Sequence, residues 1–105
     1  MGQIRMGYIT FESIEDAKKL GQALVEEGLV ACVNILGNMH SIYQWQGKVN
    51  SGDEIACLVK TSVDKWPAMQ KRVEELHPYE TPCVLGWDIA AGNSPYLSWV
   101  EGQLS

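Results

Sequence analysis

A chain of 105 residues has room for one domain, and folding buries roughly two-thirds of the surface that its unfolded form exposes. With 46% apolar and 20% charged residues, its composition is that of an ordinary globular protein. The net charge of −5, with Lys18-Lys19 and Lys71-Arg72 the only basic doublets, excludes the phosphate-neutralising surface of a nucleic-acid binder.

The opening Met1 to Met6 lacks the apolar core of a signal peptide, and Met6 misses the myristoylation pattern. No apolar run approaches the ~20 residues of a membrane span, so no membrane partner is expected. Cys32, Cys57 and Cys83 are odd in number and lack CxxC spacing, which points to free thiols, a reducing compartment and the cytoplasm.

Ile4 to Phe11 is rich in β-branched and aromatic residues and predicts a strand. Ser13 then reads as a helix cap that accepts from the Asp16 backbone N–H. Ile14, Ala17, Leu20, Leu24 and Val25 follow at helical spacing, and Gly28 closes the helix. The nearly continuous apolar run Leu29–Leu36 predicts an interior strand covered on both faces. The pattern resumes from His40 to Gln46 and turns at Gly47-Lys48.

Asp53 to Thr61 predicts the next strand, with Ile55, Cys57 and Val59 on one face and Ala56 and Leu58 on the other. The short loop makes these two strands a long hairpin. A second helix follows Ser62 with Trp66, Met69, Val73 and Leu76 on one side. It accepts Pro67 in its first turn and ends before Pro78. Pro82 to Ala91 predicts a fourth strand, weakened by Gly86, and Asn93-Ser94-Pro95 opens a C-terminal helix. The order is that of an α+β, ferredoxin-like βαββαβ sandwich with an extended β2–β3 hairpin and a final helix, one domain over 1–105.

Five stretches carry a family resemblance. They are Leu29-Val30-Ala31-Cys32-Val33-Asn34-Ile35, Ser41-Ile42-Tyr43-Gln44-Trp45-Gln46-Gly47-Lys48, Leu58-Val59-Lys60-Thr61, Leu76-His77-Pro78-Tyr79-Glu80-Thr81-Pro82 and Gly92 to Trp99. At these separations the chain resembles the CutA (CutA1) divalent-ion tolerance family over nearly its full length. The resemblance implies a compact homotrimer, with hairpins reaching onto neighbouring subunits, and an association with metal tolerance, copper included. Two residues depart from the family pattern: Glu12 in place of a common Pro, and Cys83 in place of a Glu at a position used by the family's proposed metal site.

His77 reads either as a metal or anion ligand between subunits or as a polar residue closing its helix. Cys83, six residues on, is either its co-ligand or a buried thiol. A thiolate–imidazole pair suits Cu(I) or Zn²⁺, and two ligands leave a site to be completed by water or other subunits. Lys60 needs an anionic partner, for which Glu80 is the candidate, and with Tyr79 these residues form a candidate ligand cleft. Tyr43 and Trp45 suit a subunit interface. Cys32 is expected in the core and His40 in solvent.

No nucleophile–base–orienter set and no phosphate-cradling Gly loop is present, so no enzyme activity and no required cofactor are expected. The alternatives are a PII-like trimeric regulator taking a small anion or nucleotide between subunits, and a purely structural trimer.

Overall fold

The computed structural model describes residues 3–104. Met1 and Gly2, read above for a leader or lipid signal, lie outside the described residues. The elements are β1 (Ile4–Phe11), α1 (Ile14–Glu26), β2 (Cys32–Trp45), β3 (Lys48–Ser62), α2 (Trp66–Leu76), β4 (Val84–Asp88) and α3 (Ser94–Gln103). The four strands form one sheet in the order β2-β3-β1-β4, every neighbouring pair antiparallel. This is the ferredoxin-like arrangement, with both helical crossovers on one face.

The local chemistry of α1 is as read from the sequence. Ser13 Oγ accepts from the Asp16 N–H at 3.1 Å. At the other end Gly28 takes φ +70°, and the Leu29 N–H reaches back to the Leu24 carbonyl at 3.0 Å. The buried sides of α1 and α2 close over Ile9, Phe11, Ile55, Cys57 and Val59 of the central strands. Trp66 lies over Gly7 and Gly86, where a Cβ would meet side chains at 2.6 Å and 2.5 Å.

The expected interior strand at Leu29–Leu36 is corrected. Leu29, Val30 and Ala31 precede the strand, and the Leu29 carbonyl accepts from the Thr61 hydroxyl at 2.6 Å. β2 then runs along the sheet edge, because β1 and β3 take the centre. The register shifts between Ile35 and Gly37, which leaves Leu36 as a bulge with its side chain 60% exposed. β3 begins at Lys48 rather than Asp53, and β4 covers only Val84–Asp88.

β2 and β3 pair out to Trp45 and Lys48, so the hairpin projects as an arm and the molecule measures 45 × 25 × 22 Å. Its turn is Gln46-Gly47, both at positive φ (52° and 77°), the backbone twist that two-residue hairpins require.

Alternation along β1 sends Ile4, Met6, Tyr8 and Thr10 to the face opposite α1 and α2. One end of this second face is covered by α3, whose Val100 packs on Ile4 and Ala31. The remainder is open, with Leu85, Trp87, Tyr43 and Trp45 all exposed.

Candidate functional site

A cleft of about 660 Å³ lies where the arm leaves the body of the sheet. Its walls come from three places. The end of β1 supplies Thr10 and Glu12, the arm supplies Tyr43, Trp45, Asp53 and Glu54, and the loop after α2 supplies Tyr79, Glu80, Thr81 and Cys83.

The α2 loop is fixed from behind by His77. Its backbone N–H closes the helix on the Val73 carbonyl at 2.8 Å. Its ring is buried and stacks on Phe11 with centroids 4.7 Å apart. Nε2 lies 2.8 Å from the Thr10 carbonyl, and Nδ1 accepts the Tyr79 backbone N–H at 3.1 Å.

Tyr79, so held, donates its hydroxyl to Glu54 Oε2 at 3.1 Å. Burial, followed by the bond to Glu54 and its charge, pushes the Tyr79 pKa well up. The Cys83 thiol is also raised, by burial and then by the Glu54 charge, with a hydrogen bond from Thr10 acting against them. Tyr8, nearby on β1, is raised by burial, Cys83 and Glu54 in that order, and its hydroxyl donates to Met39 Sδ at 3.4 Å. The cleft is thus lined by carboxylates, beside which the Tyr79 hydroxyl and the Cys83 thiol hold their protons more tightly than free groups do.

Of the residues singled out from the sequence, Tyr43, Trp45, Tyr79, Glu80 and Cys83 share this cleft, and His77 lies buried behind it. Lys60 does not line it, and its expected partnership with Glu80 is replaced by another. Its Nζ donates to the Tyr96 hydroxyl at 2.9 Å and sits 5.2 Å from that ring's centroid, under α3. The Tyr96 hydroxyl, against burial, holds its pKa up. Cys32 is likewise not in the core. It pairs with Lys60 across the sheet, half-buried, 3.9 Å from the Tyr96 hydroxyl. Cys57 is the fully buried thiol, and burial raises its pKa to about 11. His40 is exposed as expected, with Nδ1 3.1 Å from Asp53 Oδ1.

Sequence reading missed Glu54, Asp53 and Thr10 as lining residues, and took Glu12 as a departure from the family pattern rather than as part of a site. The available signal was alternation: Gly52, Glu54 and Ala56 share one strand face, which placed a carboxylate beside an otherwise neutral row. Among the described residues no helix is long and apolar enough to cross a membrane.

Comparison with known proteins agrees with this architecture. Residues 5–103 match the family described as CutA1 divalent ion tolerance protein. The divalent-cation tolerance protein CutA of Thermus thermophilus is 47% identical over 93 residues, covering 89% of this chain and 90% of the relative. Human protein CutA is 36% identical over 95% of this chain, which spans 56% of that longer protein. The solved structure of the periplasmic divalent cation tolerance protein CutA from Archaeoglobus fulgidus superimposes with a TM-score of 0.93 at 33% identity. That match covers 97% of this chain and 99% of the other. The motif spacing, the four-stranded sheet with its projecting arm and these likenesses converge: the chain belongs to the CutA1 divalent-ion tolerance family.

Proposed function

We propose that this chain acts in divalent-cation tolerance as a non-enzymatic homotrimer, with subunits meeting along the β2 edge and the open sheet face. The observation that carries this is the edge strand itself. From Cys32 to Trp45 its 14 residues include no Lys, Arg, Asp, Glu or Pro, the residues that guard natural edge strands against pairing. Ile42 is 73% exposed on the same strand, and Leu85 and Trp87 lie open on the second face. Three is the copy number that the CutA resemblance implies.

The cleft's donors fit a divalent ion in part. Glu12, Glu54 and Glu80 offer oxygens and Cys83 a sulfur, while the Asp53 carboxylate is turned to His40. Among the described residues, however, no three His, Cys, Asp or Glu side chains converge into a group able to hold an ion. The proposed ion therefore takes its remaining ligands from a neighbouring subunit, and Cys83 biases the choice toward Cu(I) or Zn²⁺ over Mg²⁺ or Ca²⁺. Free thiols at Cys32, Cys57 and Cys83 favour a reducing cytoplasm. A small anion or nucleotide, the regulator alternative, would meet an acidic wall, with Lys60 turned away to Tyr96.

Light scattering at micromolar concentration, combined with Cu(I) and Zn²⁺ titrations of the wild type and Cys83→Ala, tests the reading. A trimer whose copper affinity falls in Cys83→Ala is expected. A folded monomer overturns the assembly, and unchanged copper affinity removes Cys83 from the site.

A further inference from the structure

The divalent-ion reading above is the premise here, and the geometry around His77 refines it. We infer that His77 is a positioning residue that locks the 77–83 loop to β1, and that any ion in the cleft is held without its imidazole.

The argument is one of hydrogen-bond roles. A carbonyl only accepts, so Nε2, 2.8 Å from the Thr10 carbonyl, carries a proton. A backbone N–H only donates, so Nδ1, 3.1 Å from the Tyr79 nitrogen, offers its lone pair. Together the two contacts select the neutral Nε2–H tautomer and use both nitrogens. A metal bound at Nε2 displaces that proton and leaves the Thr10 carbonyl without its partner. A metal bound at Nδ1 does the same to the Tyr79 N–H. The ring has little room to turn toward the cleft, being 7% exposed, stacked on Phe11 and met edge-on by Tyr79 at 4.7 Å.

The lock instead has a use for the cleft. It spans the end of β1 and the turn after α2, and it fixes the backbone from which Tyr79 reaches Glu54. Cys83 and Glu80 line the cleft from the same loop. His77 thus presents the oxygen and sulfur donors without joining them. On the reading above, the family-implied ion would draw on Cys83 and cleft carboxylates of this chain, completed by a neighbouring subunit, and not on the imidazole.

The test is a Zn²⁺ titration of ¹⁵N-labelled wild-type protein, following the imidazole nitrogens. His40, exposed on the arm, serves as the internal responder. His77 should keep its Nε2–H signature and its shifts at saturating Zn²⁺. His77→Ala should lose hydrogen-exchange protection at the Tyr79 amide. His77→Gln, which keeps an N–H donor for Thr10, should recover part of that protection, and Zn²⁺ affinity should follow the protection rather than the presence of the imidazole. Zn²⁺-dependent shifts at the His77 nitrogens overturn the inference, as does loss of Zn²⁺ affinity in His77→Gln while Tyr79 remains protected. If the protein takes up no Zn²⁺ and His77 keeps its signature, the inference stands and the divalent-ion reading of the cleft falls.

Discussion

Tyr79 and Glu54 are tied across the cleft, hydroxyl to carboxylate, at 3.1 Å. The bond joins the loop after α2 to the root of the arm, two segments that share no element. It also engages one of the carboxylates that line the cleft, so the loop, the arm and the pocket's charge are linked through a single contact.

Removing that hydroxyl should loosen the link without emptying the core. Tyr79→Phe is expected to lower stability by about 1 kcal/mol, since Glu54 is partly exposed and regains water in exchange. Urea unfolding of the two proteins measures the difference. Equal midpoints would show that the contact contributes nothing net.

Raised acid groups predict where stability falls with pH. Cys57 moves from 9.0 to about 11 on folding, and Tyr79 and Cys83 shift in the same direction. A folded pKa above the unfolded one means that the folded state holds the proton more tightly. The contribution is therefore complete below the unfolded value and is lost as pH rises through the folded one. Stability should be flat through neutrality and decline from about pH 9 upward. Cys57→Ala, though less stable throughout, should show a shallower decline between pH 9 and 11. An identical slope in the variant would remove Cys57 from the account.

Trp66 packs where Gly86 leaves no side chain. A Cβ at Gly86 would stand 2.5 Å from the Trp66 ring, closer than such atoms approach, so Gly86→Ala forces the ring or β4 to move. A loss of about 1–3 kcal/mol is expected for such overpacking. Thermal unfolding followed by tryptophan fluorescence reads it, and an unshifted midpoint contradicts the packing described here.

The proposed assembly makes a separate prediction at Trp45, which is 47% exposed on the arm. If the proposed trimer covers this ring, Trp45→Ala should weaken association by about 3–5 kcal/mol per site, as for core aromatic truncations. Dilution followed by light scattering should then find dissociation at higher concentration than in the wild type. The same concentration dependence in both proteins would place Trp45 outside the interface.

What the sequence by itself determined was local. The cap of Ser13 on Asp16, the left-handed Gly28 and the three-four spacing of Trp66, Met69 and Val73 depend on residues within a turn or two of one another. Their physics is written in the neighbouring letters. The element order followed from the same signals, and with it the ferredoxin-like topology, because few chain paths obey right-handed crossovers. Only the tertiary structure decided the matters that depend on distant partners. The apolar run at Leu29–Leu36 reads alike for a central and an edge strand, and only pairing put β1 and β3 in the middle. Lys60 and Glu80 looked complementary as charges, yet α3 brought Tyr96 to Lys60 first. His77 could serve as ligand or lock from its letter alone. Thr10, 67 residues away in the chain, supplied the carbonyl that engages its Nε2.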